Sequence, residues 1–216
     1  MKHVPHLVVA APWEGPTIAL SVVQWRHVTK VLRMKSGGAV SYTDGLGEIG
    51  TGTLRHQMIE RGNEETVAQS NELTVAVAPP ANKDRQRFVV EKLAELGVAR
   101  LLWLGTTRGK NRIAHPSKVF SWVVAAVEQS QGAFLMETSD DVVAIGDLDG
   151  DLVVCHRGGL ADPGGADTVV IGPEGGLALD EIPQGARLWD LGPTVLRVET
   201  AALVAAARIL DGRCNP

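Results

Sequence analysis

The sequence predicts an α/β protein in two parts, a small β-rich module followed by a domain built on a parallel sheet. Strand-like runs with one helix occupy residues 1–70, a polar stretch follows, and apolar runs then alternate with helix-length amphipathic segments. Strands that alternate with helices imply βαβ units, whose strands lie parallel.

In the first part, residues 7–11, 39–43 and 48–54 read as strands, and Asp44-Gly45-Leu46-Gly47 suits a hairpin turn between the last two. Residues 21–33 read as a helix. Val22, Trp25, Val28, Val31 and Leu32 recur at three or four residues to form a packing face, while Arg26, Lys30 and Arg33 recur on a basic one. Residues 60–72 are polar and hold little to bury, which places a domain boundary there and divides the chain into 1–70 and 71–216.

Beyond that boundary the expected order is strand 73–78, helix 84–96, strand 100–104, helix 117–131, strands 152–155, 168–171 and 187–191, and a closing helix over 200–210. The closing helix is apolar nearly all round. Such a helix is buried on most sides, by its own domain or by a second subunit.

Composition excludes several classes. Of 216 residues, 44% are hydrophobic and 21% charged, and no apolar run approaches the ~20 residues that span a bilayer, so no membrane span is expected. The start, Met1-Lys2-His3-Val4-Pro5-His6, lacks the apolar segment of a secretory signal, which leads us to expect a cytoplasmic protein. Cys155 and Cys214 form neither a disulfide framework nor a ligand spacing, and His3, His6 and His156 lack companions for a metal site. No metal is expected. The net charge is −4, yet basic residues cluster in 26–35, 83–87 and 108–118, so local positive patches remain available to a polyanion.

The segments with most chemical content lie near the C-terminus. Ile171-Gly172-Pro173-Glu174-Gly175-Gly176 and the stretch from Leu191-Gly192-Pro193 to Thr200-Ala201 each follow a buried strand, where open α/β sheets bind ligands. Glycine admits close backbone approach and proline ends the strand ladder. The first loop lacks the Lys-Ser/Thr of a phosphate-binding loop and the GxGxxG of a dinucleotide site, which argues against nucleoside triphosphates and NAD.

The strings GPEGG (172–176) and LGPTVLRVETA (191–201) together resemble the SPOUT-class methyltransferases, specifically the RsmE type that methylates N3 of a uridine in 16S ribosomal RNA. His27-Val28-Thr29-Lys30-Val31-Leu32-Arg33 with Gly37 and Asp44-Gly45 resembles the PUA-like RNA-binding domain at the front of these enzymes. Lys92 to Val98, Thr107-Arg108 and Glu128-Gln129-Ser130 match further family segments.

The resemblance implies a C-terminal trefoil-knot domain, an N-terminal PUA-like β-barrel domain, a homodimer, and S-adenosylmethionine held in the knot loops. It assigns Ile171, Gly172, Pro173, Gly175, Gly176, Leu191, Gly192, Leu196, Thr200 and Ala201 to the cofactor, with side chains at 175 and 176 expected to obstruct it. Arg197, Glu199 and Glu174 are the candidate catalytic residues, with a mutual ion pair the alternative role for Arg197 and Glu199. Arg26, Lys30, Arg33, Lys83, Arg85 and Arg108 are the candidate contacts to 16S rRNA or the 30S subunit. Thr194 stands where the family usually has Arg or Lys, Gln131-Gly132 replaces an arginine-containing end, and Ala178 replaces a capping serine. The same chemistry on another RNA, and a non-catalytic RNA-binding or ribosome-assembly protein, are the alternative readings.

Overall fold

The computed structural model describes residues 4–109, 112–160 and 162–214; Met1 to His3, Lys110 and the side chain of Cys214 lie outside the described residues. Contacts group the chain into two compact units, Met1–Gln69 with Val127–Leu135, and Ser70–Ala126 with Met136–Pro216.

The first unit is built on five strands, β1 (His6–Val8), β2 (Thr17–Ala19), β3 (Ala39–Thr43), β4 (Glu48–Arg55) and β5 (Met58–Thr66), in the order β1-β3-β4-β5-β2. Only β1 and β3 pair in parallel. Leu7, Ile18, Val40, Tyr42, Leu54 and Ile59 from these strands pack with Val28 into one apolar core. The hairpin at 44–47 forms as expected, with the Asp44 carboxylate accepting from the Leu46 and Glu48 amides at 2.7 and 3.0 Å.

The polar stretch that marks the boundary begins as strand, with residues 60–66 continuing β5 and pairing with β4, and the two units divide between Gln69 and Ser70. The side chains of 60–66 face water while the backbone ladder holds the strand. The helix expected over 21–33 is α1 (Val22–Arg26), capped by Ser21, followed by a π-helical turn over His27–Val31 in which the Leu32 amide reaches the His27 carbonyl. The wider turn shifts the helical phase. Val28 is buried and Trp25 half-buried as expected, but Val22, Val31 and Leu32 are exposed rather than packed.

The second unit carries a six-stranded, wholly parallel sheet in the order β11-β9-β10-β6-β7-β8. Its strands are β6 (Thr74–Val77), β7 (Arg100–Gly105), β8 (Glu137–Ala144), β9 (Leu152–Leu160), β10 (Thr168–Ile171) and β11 (Arg187–Trp189). Parallel neighbours need crossovers, and α2 (Lys83–Glu95) and α3 (Pro116–Ser130) supply the first two. Central β6 and β10 are buried at every position, hence their unbroken apolar runs. Edge strand β8 is mostly exposed and polar.

Helix α2 starts at Asn82, whose side chain accepts from the Arg85 amide at 2.9 Å, and buries Val89, Val90, Leu93 and Ala94 on one face. Buried Gln86 beside them spends its amide fully, donating to the Pro80 and Arg112 carbonyls and accepting from the Ala114 amide. Helix α4 (Val198–Cys214) packs on α2, β10 and β6 within the same unit, with Ala202, Ala205 and Ala206 fully buried. Its apolar character is thus largely used inside the unit. Among the described residues no helix is long and apolar enough to cross a membrane.

Candidate active site

The chain passes from β8 at one edge back across the sheet to β9, and β10 then inserts between β9 and β6. Crevices at such reversals of strand order receive ligands, because loops leave the strand ends in opposite directions. Here the segments after β10 and β11 and the far part of β9 enclose a cavity of about 370 Å³. That volume lies within the ~300–1,000 Å³ of small-molecule sites.

Of the residues singled out in sequence, Ile171, Gly172, Pro173, Glu174, Gly175 and Gly176 line this cavity on one side. Leu191, Gly192, Leu196 and Ala201 line it on the other. Thr200 and Arg197 are exposed and do not belong to its lining. Glu199 is also outside the lining; it is 9% exposed, and its Oε1 lies 3.6 Å from Arg85 Nε. The pair that forms is therefore Arg85–Glu199. Its other oxygen, Oε2, is buried without a hydrogen-bond partner among the described residues.

Arg108 comes to the cavity wall, donating from Nη1 to the Gly175 carbonyl at 2.9 Å. Lys83 is exposed at the start of α2, and Arg26, Lys30 and Arg33 are exposed in the first unit.

Local geometry separates the glycines. Gly176 has φ +69°, a left-handed conformation that side chains resist, whereas a Cβ on Gly172 would sit 2.8 Å from Leu177 Cγ. Gly175 is neither left-handed nor crowded; the nearest atoms to its Cβ would be those of Arg108 at 3.8 Å. Within the chain itself the constraint on a side chain falls on 172 and 176. Both loops are further tied down. Glu181 accepts from the Thr107 amide at 2.7 Å, the Thr107 hydroxyl at 3.0 Å and the Ala178 amide at 2.9 Å, fastening the turn after β7 to the segment after Gly176. These donors, led by the Thr107 amide, hold the Glu181 carboxyl below its ordinary range. Asp190 does the same between β9 and the second loop. It accepts from the Gly192 and Gly158 amides, each at 3.0 Å, and its carboxyl is lowered for that reason.

Sequence reasoning missed part of the lining, namely Cys155, His156 and Arg157 from β9, and Leu177, Trp189 and Asp190. Burial pushes the Cys155 thiol up to about 12, so it stays protonated and acts as an apolar wall rather than a nucleophile. The cavity is thus walled by Ile171, Leu177, Trp189, Leu191, Leu196 and Val198 side chains and by loop backbone. Largely apolar walls of this kind suit a flat, weakly polar ligand. Among the described residues no group of three His, Cys, Asp or Glu side chains is arranged to hold a metal.

A family model described as an RNA methyltransferase domain matches residues 68–210. Ribosomal RNA small subunit methyltransferase E of Mycobacterium tuberculosis is 29% identical over 220 residues, covering 85% of this chain and 82% of that protein. The protein of the same name from Rickettsia conorii is 23% identical, with 88% of each chain covered. Among solved structures, the Neisseria gonorrhoeae ribosomal RNA small subunit methyltransferase E bound to S-adenosyl methionine is 24% identical, with TM-score 0.79 over 97% of this chain and 98% of that one. The two chains share one α/β fold, an N-terminal unit on a mostly antiparallel sheet followed by a domain on a parallel sheet. With two thirds of its length matched by the family model, the chain belongs to the RNA methyltransferase domain family, and within it resembles the RsmE type.

Proposed function

We propose that this protein transfers a methyl group from S-adenosylmethionine to N3 of a uridine in 16S ribosomal RNA, acting on the small ribosomal subunit as a cytoplasmic homodimer. The observation that carries the reading is the cavity itself, where GPEGG and the LGP loop face each other across about 370 Å³. A pure RNA-binding protein has no use for an apolar cavity bounded by two tightly fastened glycine loops. The cofactor, when bound, supplies an electrophilic methyl group on a sulfonium.

The chain's own residues have two tasks. The first is to hold the cofactor, which falls to Ile171, Gly172, Pro173, Gly175 and Gly176 on one side and Leu191, Gly192, Leu196 and Ala201 on the other. The second is to prepare the nucleophile. Uridine N3 carries a proton at neutral pH, so as its lone pair forms the new N–C bond that proton must leave and the charge building on the ring oxygens must be balanced. Exposed Arg197 would supply planar donors to those oxygens, and Glu174, which lines the cavity, would receive the proton. Glu199, paired with Arg85, holds the start of α4 that Arg197 immediately precedes. Phosphates are met by Arg26, Lys30 and Arg33 on the first unit and by Lys83 and Arg108 on the second, whereas Arg85 is spent on Glu199. A stacked uridine would first have to leave its stack to reach the methyl group.

The test is methyl transfer from radiolabelled S-adenosylmethionine to 30S subunits that lack the modification, followed by nucleoside mass spectrometry. Labelled 3-methyluridine is the expected product. Label in another nucleoside would move the reaction to a different atom, and cofactor binding without label on 30S would point to another RNA. Absence of both binding and label would favour a non-catalytic RNA-binding protein.

A further inference from the structure

Strands β9 and β11 run in register at Val153/Arg187 and Val154/Leu188, but their next pair is Leu160/Trp189. Residues 155–159 of β9 therefore have no counterpart on β11 and bulge from the ladder. Bulges beside sites re-aim side chains. The first three bulged residues, Cys155, His156 and Arg157, all line the cavity. The bulge also closes tightly, since a Cβ on Gly159 would lie 2.5 Å from the Leu188 and Trp189 backbone.

Arg157 is held in this bulge from two directions. Asp190 takes the amide of the next residue, Gly158, at 3.0 Å, and Arg157 Nη2 donates to the Pro193 carbonyl at 2.8 Å. One of five guanidinium donors is thereby used. Asp190 sits nearby, yet its two oxygens accept from Gly158 and Gly192 amides. The side chain is exposed at the cavity edge beside exposed Pro193 and Thr194, and among the described residues Arg157 is the single lysine or arginine in the lining. A chain of net charge −4 must still hold a polyanion against this opening.

We propose that Arg157 is a substrate-binding residue, whose bulge-held guanidinium takes a backbone phosphate of the RNA beside the target nucleotide. This rests on the methyl-transfer reading for the identity of the polyanion. It assigns to β9 a contact made by no residue of the two glycine loops, and bidentate guanidinium–phosphate geometry fixes register without reading sequence.

Filter binding of the full-length protein to 30S subunits lacking the modification, titrated over salt, tests this without requiring turnover. Arg157→Ala is expected to weaken RNA binding about 10-fold and to lower the slope of log affinity against log salt by about 1. Arg157→Lys should recover most of the affinity. Arg157→Gln keeps a polar side chain but no charge, and should behave as the alanine variant. Cofactor affinity by calorimetry should stay within about twofold in all three. The proposal is overturned if Arg157→Gln binds RNA like wild type, since the positive charge at 157 then contributes nothing to RNA binding. It is equally overturned if cofactor affinity falls while RNA affinity holds, because the anion is then the cofactor carboxylate. Wild-type protein that binds this RNA but not S-adenosylmethionine would remove the methyl-transfer reading and leave the Arg157 contact standing on the salt slope.

Discussion

Arg85 and Glu199 lie at the starts of α2 and α4, far apart in sequence, and their side chains meet at 3.6 Å with Glu199 almost wholly buried. Arg85 thus spends its charge inside the second unit, anchoring the helix that follows the LGP loop. Removing one partner strands the other in a poor solvent. Arg85 is one-third exposed, so the coupling should be smaller than for a fully buried pair, ~1–2 kcal/mol in a double-mutant cycle of Arg85→Ala and Glu199→Gln. Urea unfolding of the four proteins measures it. Strict additivity would mean that the two side chains act independently.

Gly172 is the position where the first loop has no room for a side chain, since its Cβ would press on Leu177. Leu177 is buried and belongs to the apolar core beneath the loop. Gly172→Ala should therefore shift the loop and weaken S-adenosylmethionine at least 10-fold by calorimetry, with circular dichroism unchanged. Gly165→Ala, which meets nothing within 4 Å and has ordinary φ, is the control and should bind normally. Equal affinity in both variants would remove the loop from the cofactor site.

The contrast between β10 and β5 shows what the sequence made legible. β10 is buried on both faces, so its apolar run announced both the strand and the loop after it. β5 and β8 are exposed along most of their length, and backbone pairing, which leaves no trace in side-chain pattern, holds them in place. The phase of α1 was lost at a π-helical turn that helical spacing does not foresee. The two glycine loops were visible because backbone constraints choose glycine and proline. The Arg157 bulge was not, because it is defined by how β9 meets β11, about thirty residues later.

Glu181 gives the site a measurable pH dependence. Hydrogen bonds from the Thr107 and Ala178 amides lower its carboxyl below the ordinary 4.5. A carboxyl depressed in the folded state contributes stability that is fully present above 4.5 and lost as pH falls through the lower folded value. The Thr107 and Ala178 amide proton shifts, followed by NMR, should titrate with a midpoint below 4.5, and Glu181→Gln should abolish the titration. A midpoint at or above 4.5 would mean that the clasp between Thr107 and Glu181 is not formed in solution.

The exposed cations of the first unit admit a separate test. Arg26 and Lys30 sit on consecutive helical turns with no ion-pair partner among the described residues. Exchanging both for Glu reverses charge without touching the core, so folding should be unaffected. RNA affinity should fall at least 10-fold at low salt while cofactor affinity stays the same. Unchanged RNA affinity in filter binding would place the phosphate contacts elsewhere.

Tyr42 is the polar centre of the first unit's core. Its ring is fully buried and meets Trp13 edge-on at 4.8 Å, while its hydroxyl donates to Glu64 Oε1 at 2.6 Å. Burial first, and then Glu64, raises the phenol to about 12, so it remains a donor throughout the working range. Arg61 completes the cluster by bonding both Glu64 oxygens and the carbonyls of Trp13 and Gly15. Tyr42→Phe keeps the ring and removes only the donor, and Glu64 retains Arg61, which limits the cost to ~1–2 kcal/mol. Arg61→Ala strips Glu64 and two carbonyls at once and should cost more than Tyr42→Phe. Urea unfolding followed by tryptophan fluorescence ranks the two, and the reverse order would show that the phenol, rather than the guanidinium, organises the cluster.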